Sequence, residues 1–170
     1  MKRLFVLRHA KSSWSNAELA DHDRPLSSRG ERAAVLIGVT LAQQGVELDR
    51  ILASTALRVR QTLERVQAQL GKPVHTAFEE DLYLASAETW LKRLRAVEDA
   101  SELLVVGHNP GLEDLVRKLA PPGKKKALLR LRDGLSTAAL AEVELPVTKW
   151  RELSPHAGRL VSLIRPKDLV

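Results

Sequence analysis

Arg8 and His9 stand side by side at the end of an apolar run, in "LFVLRHAKSSW". Two other short stretches carry the same kind of side chain. Arg58 lies four residues after Ser54 in "ASTALRVRQ", and His108 follows Gly107 in "LLVVGHNPG". Arginine presents a planar fork of donors that matches phosphate oxygens in pairs. A neutral imidazole at pH 7 is a nucleophile able to attack phosphorus and split a displacement through a covalent intermediate. Helix N-termini add free N–H groups and a positive dipole end. Ser54 or Thr55 is expected to cap one such helix, and Asn109-Pro110 to open another with proline at its first position. Gly107 is expected to let the backbone approach a ligand closely. The sum is an anion pocket suited to a phosphoryl group, with His9 as the nucleophile.

Rival chemistries fit less well. Either histidine alone reads as a buried ring satisfied by the fold; both together, each after an apolar run and near an arginine, do not. A metal site is disfavoured because two fixed cations would repel a dication, and the chain has no cysteine. Neither a metal nor a cofactor is expected. Glycine-rich phosphate loops of the two common spacings are absent, as is the G-x-S-x-G elbow. Asp21-His22-Asp23 superficially suggests an aspartate nucleophile, but no apolar strand precedes it, so it reads as a solvated turn.

For these residues to meet, the intervening chain must bring three strand ends together. Leu4–Leu7, Asp49–Ser54, Val74–Phe78, Leu103–Val106, Thr137–Leu145 and Leu160–Arg165 read as strands. Between them lie helical spacings: Ala33, Leu36, Ile37 and Leu41; Leu63, Val66 and Leu70; Trp90, Leu91 and Leu94; Leu112, Leu115, Val116 and Leu119. "SSRGE" supplies a capping box with Ser28 and Glu31, though Ser27 could cap instead. Strands alternating with helices predict an α/β fold, a three-layer α/β/α sandwich about a mostly parallel sheet. In such sheets ligands sit beyond the carboxyl ends of the strands, where Arg8, His9, Arg58 and His108 fall.

Composition sets the frame. The chain's 170 residues suit a single domain, 1–170. The short N-terminal apolar run ends in charge, and no stretch is long enough for a membrane span, so a cytoplasmic, membrane-free protein is expected. A formal charge of +6 suits phosphorylated or acidic substrates. It suits nucleic acid less, because only 4% of residues are aromatic.

"LRHA", "RPLSSRG", "STALRVRQT" and "VVGHNPG", in that order, resemble the histidine phosphatase superfamily, and "LRHAKSSW" with "GRLVSLIRPKDL" is most similar to its SixA-type phosphohistidine phosphatase branch. The resemblance implies a phosphoglycerate-mutase-like fold and a metal-independent phosphatase. It implies that His9 is phosphorylated in turnover, that Arg8 and Arg58 hold phosphate oxygens, and that His108 hydrogen-bonds the phosphoryl group. Ala10 stands where the family usually has glycine. Many members use an acid to protonate the leaving group. Here "FEEDLYLAS" is the candidate region, and Asp81 is chosen over Glu79 and Glu80 because Asp-Leu-Tyr should begin a loop over the pocket. A phosphoramidate needs less acid help than an alkoxide, since its imidazole can leave neutral once the other ring nitrogen carries a proton. Phosphohistidine on a protein, such as a phosphorelay, is therefore the expected substrate. A small phosphorylated metabolite is the alternative, and a phosphate-binding module the non-enzymatic one.

Around the pocket, Ser12 and Arg24 are candidates for further phosphate contacts, though Arg24 could instead pair with Asp21 or Asp23. Trp14 is placed near the mouth by its closeness to His9. Lys124–Lys126, Arg130 and Arg132 read as a basic loop, solvated or docking an acidic phosphoprotein.

Overall fold

The apolar run that ends in Arg8 becomes strand β1 (Lys2–Arg8). In the computed structural model, which describes Met1–Val170, it lies inside a six-stranded sheet. The other strands are β2 (Arg50–Ser54), β3 (Thr76–Glu79), β4 (Glu102–Gly107), β5 (Leu140–Leu145) and β6 (Arg159–Ile164), in the order β3-β2-β4-β1-β5-β6. β1 to β4 are mutually parallel, while β5 pairs antiparallel with β1 and β6 antiparallel with β5. Strands buried on both faces read as unbroken apolar runs, which is why β1 and β4 were legible.

The pleat splits the side chains of β1, β2 and β4 between two cores. Phe5, Leu7, Ile51, Ala53, Leu104 and Val106 pack under α1 (Ser28–Gln43) and α2 (Leu57–Gln67). Leu4, Val6, Leu52, Leu103 and Val105 face the other way, onto α3 (Ala87–Arg95), α4 (Gly111–Leu119) and α5 (Lys126–Leu131). This is the expected α/β/α sandwich. No helix is long and apolar enough to cross a membrane.

Four local readings change. Ser27, not Ser28, caps α1 by accepting from Gly30 N at 3.1 Å, and Glu31 turns to Arg65 at 3.2 Å instead of closing a capping box. The basic stretch from Lys126 is helical, because Ala127 and Leu131 bury one side of it, Lys126 stays exposed, and Arg130 donates to Leu163 O at 2.7 Å. β5 begins at Leu140 rather than Thr137. Ala138 takes a left-handed φ of 58° and donates its N–H to the carbonyls of both Arg8 and His9. Pro110 sits just before α4, which starts at Gly111; the side chain of Asn109 accepts from Glu113 N at 3.3 Å.

Register positions the site. Arg8 pairs across the ladder with Gly107, and His9 N donates to Gly107 O at 3.1 Å. The loop beyond β1 is then pinned. Ala10 N donates to Thr62 Oγ1 at 3.0 Å, and Thr62 donates to Arg58 O at 2.7 Å, so β1 and α2 share one buried hydroxyl. Ala10 is fully buried in the α1/α2 core, where its methyl group fits.

Gly30 lets α1 approach the same loop. A Cβ at Gly30 would stand 2.1 Å from Lys11 O, whereas one at Gly71 would meet nothing within 4 Å. Gly30→Ala should therefore cost roughly 1–3 kcal/mol in urea denaturation by overpacking. Gly71→Ala should stay within about 0.5 kcal/mol of the parent, as exposed substitutions usually do.

Candidate active site

The carboxyl ends of β1, β2 and β4 open into a cavity of about 480 Å³, lined by Arg8, His9, Arg58 and His108 and also by Lys11, Ser12, Trp14, Asp21, Arg24, Leu84, Asn109 and Thr137. The four residues selected at the strand ends thus converge, and the two imidazole rings lie 5.3 Å apart. Arg24 and Ser12 join them. Arg24 is buried, its Nη2 donating to Ser12 Oγ and its Nη1 to Asp21 Oδ1 at 3.2 Å.

The hydrogen bonds assign each ring a tautomer. His9 Nδ1 lies 2.8 Å from the Ala10 carbonyl, which can only accept, so Nδ1 carries the proton. Nε2 makes no hydrogen bond within the protein and keeps its lone pair for the cavity. Burial pushes the His9 pKa down to about 4; the Ala10 carbonyl opposes this, and Arg58, Arg8 and Arg24 reinforce it. On His108, Arg58 Nη2 approaches Nδ1 at 3.3 Å and can only donate, so Nε2–H donates to Ser54 Oγ at 2.7 Å. Burial, followed by His9 and Arg58, lowers the His108 pKa to about 3. Both rings are neutral at pH 7.

The arginines carry unused donors. Arg8 gives Nη1 to Leu135 O at 3.2 Å, and Arg58 gives Nη1 to Asp21 O at 2.7 Å. Yet Nε of Arg8, Arg24 and Arg58 is in each case buried without an acceptor. A buried unmet donor costs about 1–3 kcal/mol. All three belong to side chains that line the cavity, and their guanidinium charge is what an oxyanion there would meet.

Several sequence readings are corrected here. Asp81 does not line the cavity; it borders a separate depression with Glu79, Thr89, Lys92 and Arg93. The turn from Glu80 to Leu82 buries Leu82 and leaves Asp81 outside. Asp21, read as part of a solvated turn, is the acid actually in the cavity. Its Oδ2 accepts from Arg58 Nη2 at 3.0 Å and from the Tyr83 hydroxyl. The Tyr83 bond, then Arg58 and Arg24, hold its pKa below the usual carboxylate range despite partial burial. Asp21 is therefore ionised and has no proton to donate.

Ser54 does not cap α2. Ala56 occupies that position, and Ser54 is fully buried against His108. Gly107 leaves room for the Trp90 ring, 2.9 Å from where its Cβ would be, rather than for a ligand. His22, in the same turn as Asp21, meets Thr55 Oγ1 at 2.8 Å and stands edge-on to Tyr83 at 4.9 Å. The one signal for Asp21 was its i, i+3 spacing to Arg24.

The sandwich and its cationic, twin-imidazole cavity define an α/β phosphatase. The sequence model of the histidine phosphatase superfamily (branch 1) matches residues 4–82. An uncharacterised protein of Mycobacterium tuberculosis is 35% identical over 95% of this chain and 100% of its own length. Phosphohistidine phosphatase SixA of Escherichia coli is 30% identical over 84% of this chain and 85% of its own. The solved structure of protein histidine phosphatase SixA complexed with tungstate superimposes with a TM-score of 0.80 at 27% identity, covering 99% of both chains. The chain belongs to the histidine phosphatase superfamily, and SixA phosphatases are among its structural neighbours.

Neutral burial of His9 sets a pH dependence. The folded-state pKa of about 4 lies below the ordinary 6.5, so below pH 6.5 the unfolded chain binds more protons than the native one. The contribution to stability is complete above pH 6.5 and lost as pH falls toward 4, at about 1.4 kcal/mol per pH unit. Urea denaturation should show stability falling from pH 6.5 to pH 5, and less steeply in His9→Ala. Equal slopes in parent and variant would refute the neutral assignment.

Proposed function

We propose that this protein hydrolyses phosphohistidine on a protein, without a metal, through a covalent phosphohistidine at His9. One observation carries the reading: His9 Nε2 is deprotonated and unpartnered at a cavity whose only carboxylic acid, Asp21, is held ionised. The nucleophile is ready, and no general acid stands beside it for an alkoxide leaving group. A phosphoramidate suits that arrangement.

In the proposed step, Nε2 donates its lone pair to phosphorus while the bond from phosphorus to the substrate's ring nitrogen breaks. The bonding pair returns to that nitrogen. A proton already on the other ring nitrogen lets the imidazole depart neutral. Water then attacks phosphorus, the bond to His9 breaks, and inorganic phosphate leaves. Arg8 and Arg58, whose guanidinium groups line the cavity, bind the equatorial oxygens. Once Arg58 is drawn to the anion, His108 takes the tautomer with its proton on Nδ1 and donates it to a phosphoryl oxygen, while Nε2 accepts from the Ser54 hydroxyl, which can act in either direction. Asp21 offsets the crowded guanidinium charge and aligns Arg58. Arg24 and Ser12 hold the rim.

Support for a metal-free reaction comes from the residues themselves. No group of three or more His, Asp or Glu side chains could hold a metal ion, and three arginines line the cavity. The SixA structure in complex with tungstate, a tetrahedral oxyanion, also supports phosphoryl binding. The partner is taken to be a phosphorylated protein of a phosphorelay type.

Rapid quenching with a phosphohistidine protein should trap an acid-labile, alkali-stable phosphate on His9, and His9→Ala should be inactive but folded. Faster turnover of a panel of phosphomonoesters than of phosphohistidine would overturn the substrate assignment. Arg58→Ala should weaken inhibition by inorganic phosphate by roughly 1.5–3 kcal/mol per charge-assisted bond lost, about ten- to hundredfold in the inhibition constant.

A further inference from the structure

Twelve residues line the cavity and only two are hydrophobic, Trp14 and Leu84. Both are exposed at its mouth, Trp14 by 75% and Leu84 by 55%. A large apolar side chain held in solvent beside an otherwise polar cavity is unusual enough to need a reason.

Trp14 is held, not free. The Arg24 guanidinium carbon lies 3.3 Å from the centroid of the indole ring. That guanidinium is itself fixed, with one nitrogen bonded to Ser12 and another to Asp21. Ser12 pairs across an isolated antiparallel bridge with Leu26, so the base of the stack is tied to the backbone on both sides of the loop. One face of the indole therefore rests on a hydrogen-bonded cation, and the ring's exposure leaves the other face to solvent.

The direction of attack says what that face meets. His9 lines the cavity from its buried side, only 7% exposed. Displacement at phosphorus keeps the attacking and leaving atoms roughly in line. A group attacked from the buried side must depart toward the open side, where Trp14 and Leu84 stand. A planar ring leaving in that direction finds an indole face to stack on, and a ring that carries a second proton also gains a cation–π contact.

We infer that Trp14, propped on Arg24, is the platform that selects a planar imidazole as leaving group. The inference rests on the phosphohistidine reading and adds the residue that recognises the ring rather than the phosphoryl group. A hydrocarbon or hydroxylated leaving group gains less from an aromatic face. The cavity would then discriminate by two separate devices, arginines for the anion and an indole for what departs.

The test compares two substrates with the same bond from phosphorus to nitrogen: N-phosphoimidazole, which has the ring, and phosphoramidate, which lacks it. The ratio of their kcat/KM values should fall in Trp14→Ala by about five- to hundredfold, the range expected for one ring-on-aromatic stack. Trp14→Phe should restore most of the ratio. An equal loss on both substrates would show a merely structural role and overturn the inference, as would a ratio that does not change. The wild-type protein decides the underlying reading separately, because its rates on the two nitrogen-bonded substrates against a phosphomonoester do not depend on the Trp14 ratio.

Discussion

The site depends on keeping an imidazole neutral among guanidinium groups. His9 is buried beside Arg8, Arg24 and Arg58, and a charged ring there would face both desolvation and like-charge repulsion. The fold uses this. Burial removes the acid form, and the Ala10 carbonyl accepts a hydrogen bond from Nδ1–H, which leaves the lone pair on Nε2. In the proposed reaction, the same cations that suppress the proton attract the anion that the ring attacks. Field and nucleophile are thus one device.

Such a concentration of positive charge must be stabilised while no substrate is bound. Asp21 does much of this, with one carboxylate shared among Arg58, Arg24 and the Tyr83 hydroxyl. Because it is ionised, it neutralises charge without offering a proton. In the proposed reaction, the one carboxyl group lining the cavity therefore supplies no proton, and the demand falls on the leaving group. Around this centre the supports are mostly backbone. Leu135 O accepts from Arg8 and Asn109, Asp21 O from Arg58, and the N–H of Ala138 closes the carbonyls of Arg8 and His9. Backbone groups move less than side chains, so the cations are held in place before any phosphate arrives.

Much of the frame was legible because it is local. β1 and β4 are continuous apolar runs, and α3 and α4 bury the expected Trp90, Leu91 and Leu94, and Leu112, Leu115, Val116 and Leu119. The reading failed where local composition and tertiary packing disagree. Lys126–Leu131 looks like a solvated basic loop, yet Ala127 and Leu131 give it a buried side. Thr137–Ala139 continues an apolar strand on paper, but the positive φ at Ala138 turns it to close the end of β1. Asp81 was preferred as the acid because its neighbours looked like a loop over the pocket; the burial of Leu82 and the reach of Tyr83 settle that segment differently.

By itself the sequence determined which side chains stand at the strand ends: Arg8-His9 after β1, Ser54 and Arg58 around the start of α2, and His108 after β4. Periodicity and strand-end position are short-range properties, and parallel pairing gathers strand ends at one edge. Tertiary structure alone decided the rest. It brought Asp21 thirty-seven residues back along the chain onto Arg58, gave each imidazole its tautomer, and stacked Arg24 beneath Trp14. Those outcomes turn on distances of about 3 Å between groups on separate loops, and a loop's path is set by what it packs against, not by its own residues.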